Sequence, residues 1–250
     1  MKLTILGCGT SGGVPKIPEF WGACDPANPK NRRTRASILV EEGDTTIVVD
    51  TTPDFRMQML AAGVQKLDAV FYTHDHADHL HGIDDLRGFF QKTREKIPVY
   101  ADEATLAIIQ HRFDYIFRSK DGYPALCHAR RISGPIKHGD VKMIPFEQGH
   151  GNGISLGYRF EDMAYSTDLD RMTEAGFDVL HGVKVWVVDA LRHKPHATHS
   201  HLEQTLRWIE RVQPERAILT HMTWDMDYET LKAELPAHVE PAYDGMTITL

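Results

Sequence analysis

The segment FYTHDHADHLHG, residues 71–82, places four histidines and two aspartates in twelve positions, directly after an apolar run. Imidazole nitrogens and carboxylate oxygens are donors that zinc, manganese and iron all accept. His74 and His76 stand two apart, so in an extended segment their side chains point the same way. Asp78 and His79 come after the chain has turned and can face a second point nearby. One short segment can then serve two cations with three imidazoles and a carboxylate. Taken alone, it also reads as a polar loop.

The rest of the chain favours the metal. TTIVVD ends in Asp50, AVFYTH runs into His74, FEQGH reaches His150, AYSTD ends in Asp168 and AILTH ends in His221. A single histidine at a strand end is usually a satisfied polar residue. Five strand ends of this kind in one chain are hard to attribute to chance, because layered α/β folds gather strand ends on one rim.

The elements behind these ends follow from periodicity. Strands are expected at 2–7, 36–42, 45–50, 69–74 and 97–102, and in a second set at 141–148, 154–161, 163–168, 183–191, 216–221 and 246–250. Helices are expected at 52–63 (with Gly63 as C-cap), 82–93, 102–117 and 200–212, the last capped by Thr198 or Ser200. Strands and hairpins, then helices, then both again predict an α/β fold, two central sheets with helices outside, in one domain over 1–250.

Composition sets the limits. With 42% apolar and 25% charged residues over 250, the chain can build a sizeable core and is not disordered. No apolar run approaches the ~20 residues of a membrane span. MKLTILGCGTSGG reads as a strand and turn rather than a cleaved signal. Cys8, Cys24 and Cys127 are too few and scattered for a disulfide framework, which fits a reducing, cytoplasmic setting. A net charge of −7 argues against strong nucleic-acid binding. The basic stretch KNRRTR (30–35) reads as a solvated loop or helix end. The 15 histidines are the unusual feature.

THDHADH resembles the HxHxDH motif of the metallo-β-lactamase superfamily. Asp50, His150, Asp168 and His221 fall where that family places its other motif residues, so the resemblance covers nearly the whole chain. It implies a four-layer αββα sandwich with two divalent metal ions, zinc, manganese or iron, at one edge of the sheets. It also implies that His74, His76 and His150 hold the first metal and Asp78, His79 and His221 the second, with Asp168 bridging. Asp50 would fix the histidine loop by hydrogen bonds. A bridging aspartate with two metals is the pattern of phosphodiesterases and thioester hydrolases. Relatives are often dimers, so a homodimer is expected by analogy.

The segment 189–206 adds His193, His196, His199 and His201 ahead of a helix. Here the chain resembles the branch holding tRNA 3′-processing nucleases and the phosphoribosyl cyclic phosphodiesterase. In those a histidine before this helix protonates the leaving oxygen. The matching residue is His199, with His201 as the near competitor, and Asp78 would orient or deprotonate the attacking water. GCGTSGGVP, CDPANPKNRRTRAS and YDGMTITL resemble the cyclic phosphodiesterase group, and no basic arm of the tRNA nuclease kind is evident. That group also carries a structural zinc on three N-terminal cysteines and a histidine. Here only Cys24 remains and Trp224 stands at the histidine position, so no structural zinc is expected. Arg56 reads as a helix-surface salt bridge, His81 as lining the site, and Asp84, Asp85 and Arg87 as structural. His111, His128, His138, His181 and His238 read as surface.

The expected function is a dinuclear phosphodiesterase cutting a small, cyclic or nucleotide-like phosphodiester. The rivals are thioester or lactone hydrolysis at the same site and a non-catalytic metal-binding or cofactor-biosynthesis protein.

Overall fold

A computed structural model describes residues 1–120 and 122–250. The first half runs β1 (Lys2–Gly7), β2 (Ser37–Glu42), β3 (Thr45–Val49), α1 (Phe55–Ala61), β4 (Ala69–Phe71), α2 (Ala77–Leu80), α3 (Leu86–Thr93) and β5 (Ile97–Ala101). Next come α4 (Glu103–Arg112), α5 (Asp114–Phe117), β6 (Cys127–Arg131), β7 (Ile136–His138), β8 (Val141–His150), β9 (Gly153–Phe160), β10 (Met163–Ser166) and β11 (Arg171–Met172). The chain closes with α6 (Glu174–Leu180), β12 (Val185–Asp189), α7 (Leu202–Val212), β13 (Arg216–Thr220), α8 (Tyr228–Glu234), β14 (Val239–Pro241) and β15 (Thr247–Thr249).

One sheet has the order β15-β1-β2-β3-β4-β5-β6 and the other β11-β8-β9-β10-β12-β13-β14, with β7 paired to β8. Strand side chains alternate between faces, and both faces here are apolar. Ile38, Val40, Ile47, Val49, Ala69 and Phe71 point toward the second sheet and join one core with Tyr158, Tyr165 and Val187. Their neighbours Leu39, Val48 and Val70 point the other way, onto Phe55, Leu86 and Ile109 of the outer helices. On the far side Leu180, Ile209 and Leu231 of α6, α7 and α8 pack against the second sheet. This is the expected αββα sandwich. No helix among the described residues is long and apolar enough to cross a membrane.

Several local expectations are corrected. The helix expected over 102–117 breaks at Phe113, whose backbone (φ −128°, ψ 42°) leaves the helical region between α4 and α5. The helix over 82–93 begins as a 3-10 turn, Ile83–Asp85, before α3. Neither Thr198 nor Ser200 caps α7: His201 is the N-cap, without a side-chain bond. Ser200 is occupied elsewhere, donating to the Asp189 carbonyl at 2.8 Å. KNRRTR is not a solvated loop. Arg33 is buried and donates to the carbonyls of Met226 (2.6 Å) and Thr223 (3.1 Å), while Arg35 pairs with Asp54 at 2.9 Å. Arg56 makes no salt bridge among the described residues and reaches only the Met57 sulfur. Elements α6 and α8 carry weak apolar patterns and went unforeseen. They are fixed by capping, Thr173 accepting from Gly176 N and Asp227 from Thr230 N. The C-cap of α1 is Ala62 rather than Gly63, which follows it in the left-handed region at φ +66°.

Candidate metal centre

The strands β3, β4 and β5 are parallel, as are β10, β12 and β13, so their carboxyl ends share one rim. Asp50 follows β3, His74 stands three residues after β4, Asp168 two residues after β10, Asp189 ends β12 and His221 follows β13. Asp50, Asp168 and His221 all have positive φ, at 67°, 54° and 57°. Non-glycine residues adopt this left-handed backbone sparingly, Asp and His more readily than most. Gly82 closes the histidine segment: its N–H bonds to the Thr51 carbonyl at 2.9 Å, and a Cβ there would meet Thr52 O at 2.0 Å.

Three donor groups result, two of them sharing Asp168 and the third joining Asp189, His199 and His221. Of the first two, His74, His76, His150 and Asp168 form one, and Asp78, His79, His221 and Asp168 the other, each with its donor atoms within 4.8 Å of one another. Asp168 belongs to both through different oxygens. Its Oδ2 lies 3.7 Å from Nε2 of His74 and of His150. Its Oδ1 lies 3.0 Å from His79 Nε2 and 3.3 Å from His221 Nε2. Asp78 Oδ2 approaches the same two nitrogens at 3.3 and 3.7 Å.

The back of each ring is tied. His79 Nδ1 donates to Asp50 Oδ2 at 2.7 Å, and Asp50 also accepts from Thr73 N and Thr73 Oγ1, both at 2.8 Å. His150 Nδ1 donates to the Thr198 carbonyl at 2.7 Å, and His74 Nδ1 meets Thr73 Oγ1 at 2.9 Å. These bonds turn Nε2 of the three rings inward. The Nε2 atoms of His74, His79 and His221 are buried without a hydrogen-bond partner among the described residues. Although Asp168 Oδ1 is close to His79 Nε2, it lies off the hydrogen-bond direction. Buried nitrogens without partners are costly, and cations would satisfy them.

The electrostatics ask for the same thing. Burial disfavours a charged His79, yet the carboxylates of Asp168, Asp78 and Asp50 outweigh it and raise its pKa well above the usual histidine range, so the pocket favours positive charge there. Burial likewise opposes a charged Asp168, but the surrounding histidines, His221 and His79 foremost, keep its carboxyl well below the usual range. In His74, burial and the neighbouring imidazoles favour the neutral ring a metal needs. The donor set fits a dinuclear metal site.

The residue overlooked in the sequence is Asp189. It is fully buried, and its Oδ2 accepts from His199 Nδ1 at 3.1 Å. The signal was present, since VWVVD ends in aspartate as TTIVVD does. His199 Nε2 then stands 3.8 Å from Asp168 Oδ2, and its ring stacks 4.8 Å from that of His221. Burial lowers its pKa, but the Asp189 hydrogen bond and charge prevail and push it up to about 9. His201 is not among the grouped donors and serves as the α7 cap. His193 and His196 are exposed, as are His111, His181 and His238, while His128 and His138 are partly buried. Asp84 accepts from Tyr115 at 2.7 Å and, with Asp85, Arg87 and Arg56, lines a cavity of about 640 Å³ between α1 and α3, which contains none of the site residues.

Known proteins agree with this geometry. A family model described as a beta-lactamase superfamily domain matches residues 45–222. The crystal structure of a diphosphatase from the PhnP family superposes with a TM-score of 0.91 and 37% identity, covering 100% of this chain and 97% of that one. An octanoyltransferase of Porphyromonas gingivalis is 33% identical over 98% of this chain, which spans only 51% of that protein. Zinc-bound PqqB from Methylobacterium extorquens shares the fold, with a TM-score of 0.80 at 18% identity and full coverage of both chains. The family match over most of the chain, on a rim that carries the whole His/Asp motif set, makes this protein a member of the metallo-β-lactamase superfamily of metal-binding hydrolases.

Proposed function

We propose that the chain is a dinuclear metal-dependent phosphodiesterase acting on a small phosphodiester, cyclic or nucleotide-like. The observation that carries this reading is His199, held by Asp189 beside the carboxylate bridge with Nε2 facing Asp168. His74, His76, His150 and Asp168 would hold one cation, and Asp78, His79, His221 and Asp168 the other. Bound there, divalent ions (zinc, manganese or iron) would lower the pKa of a water and neutralise charge at phosphorus. Asp50 keeps the His79 ring oriented. Asp78 orients the attacking water or accepts its proton. His199 gives its Nε2 proton to the departing alkoxide while Asp189 steadies the ring. The PhnP-family diphosphatase supports chemistry at phosphorus.

A second reading, hydrolysis of a carbon ester or thioester on the same metals, is favoured by the match to half of the octanoyltransferase. A thiolate departs without a proton, whereas an alkoxide needs one. A third, a non-catalytic role in cofactor biosynthesis, draws on the likeness to PqqB, and the intact donor set weighs against it.

The experiment is hydrolysis of bis(p-nitrophenyl) phosphate by protein loaded separately with zinc and manganese. Turnover that disappears in Asp168→Ala supports the reading. No turnover with two metals bound moves it to carbon esters or to binding. His199→Ala should retain both metals and lose about 10²–10⁴-fold on alkyl leaving groups while keeping p-nitrophenolate release. Unchanged rates on alkyl diesters would remove His199 from the mechanism.

A further inference from the structure

Beside the first donor group the surface opens into a recess of about 440 Å³, lined by Asp75, His76, Ala77, His81, Arg112 and Phe113. That volume lies within the ordinary range of small-molecule sites. His76 is both a member of the metal cluster and a wall of this recess. A group seated there therefore borders the cluster through His76.

The walls indicate what that group is. Phe113 sits where α4 breaks, and its ring meets the His81 imidazole edge-on, centroids 5.7 Å apart at 73°, forming an aromatic corner. Arg112 bonds to the Asp75 carbonyl at 2.6 Å and pairs with its carboxylate at 3.1 Å. A guanidinium has five N–H donors, so this pairing leaves others for a ligand. Donor and acceptor thus stand side by side on the rim, with their charges balanced. A second phosphoryl group would be met by the Asp75 carboxylate. A neutral group with a flat ring, hydroxyls and ring heteroatoms matches the ring corner and the paired donor and acceptor together.

We infer that this recess is the subsite for a nucleoside, the non-reacting part of the substrate, its base against Phe113 and His81 and its polar edge on Arg112 and Asp75. The inference rests on the phosphodiesterase reading for its reaction, but binding tests it separately.

Adenosine 5′-monophosphate and ribose 5-phosphate are titrated by calorimetry into the full chain, metal-free and zinc-loaded, as wild type, Phe113→Leu and Arg112→Gln. The expected result is about tenfold tighter binding of the nucleotide, in line with the worth of a base stacked on an aromatic ring, and loss of most of that preference in both variants. Equal affinity for the two ligands in the wild type, or a preference that survives both substitutions, overturns the subsite. Turnover of bis(p-nitrophenyl) phosphate without base preference rejects the subsite alone. Base preference without any turnover keeps the subsite and rejects the hydrolase reading.

Discussion

The two halves of the metal centre share Asp168 and little else. In one half, His79 and His221 are almost wholly buried, Asp78 stands beside them, and Asp50 backs His79 with its own bonds to Thr73. In the other, His74 and His150 are buried as well but His76 is exposed, the shared Asp168 is the one carboxylate of the group, and the His150 ring is steadied by a loop carbonyl. Negative charge and rigidity concentrate on the buried side, and access concentrates on the open side. One half offers more negative charge to a cation, and the other exposes His76 to solvent.

Removing what the halves share has the largest effect. Asp168→Ala should leave fewer than two metals per chain by elemental analysis and reduce turnover on the order of 10³-fold or more. Zinc titration of metal-free wild type should show two steps by calorimetry, the tighter lost in Asp78→Ala and the weaker in His76→Ala. A tighter step that survives Asp78→Ala would reverse the comparison.

Asp50→Ala should weaken only the buried half, by about 10–100-fold in metal affinity. It also leaves Thr73 N and His79 Nδ1 unpaired in the core, at about 1–3 kcal/mol of stability in denaturant melts. Chelation should lower the melting temperature of wild type, since an ion that binds only the folded state stabilises it. The drop should be smaller in Asp78→Ala, which has lost the tighter ion.

The smallest effect belongs to the corner behind the buried half. Cys8 accepts from Met222 N, next to His221, and its own N–H donates to Asp244 at 3.1 Å. Burial raises Asp244 to about 6, against the hydrogen bonds from Thr34 and Cys8 that lower it. A folded-state pKa above the unfolded one means the native state holds the proton more tightly. The stability from this group is therefore greatest below about pH 4 and declines as pH rises to about 6. Asp244→Asn lacks that slope, so the difference in unfolding free energy should move toward the variant by about 1–3 kcal/mol between pH 4 and 7.

Legibility in the sequence followed the range of the forces involved. His74, His76, Asp78 and His79 could be grouped because four ligands lie within six positions, and a turn is a local property. Asp50, Asp168 and His221 were visible because an apolar run ending in a polar residue marks a strand end. Asp189 ends its strand in the same way, yet without a distant partner it looked ordinary. Its place in the site depends on His199 lying ten residues on in sequence and 3.1 Å away in space. KNRRTR misled for the same reason: local composition says solvated, and the carbonyls that bury Arg33 come from Thr223 and Met226.

By itself the sequence determined the strands, the rim they share and the kinds of donor on it, since periodicity and residue chemistry are written locally. Only the tertiary structure decided that Asp168 divides its oxygens between two clusters, that His76 alone of their members is exposed, and that Arg112 and Phe113 border His76. Those facts depend on separations in space between residues up to 147 positions apart along the chain, as His74 is from His221, and packing of the two sheets sets such separations.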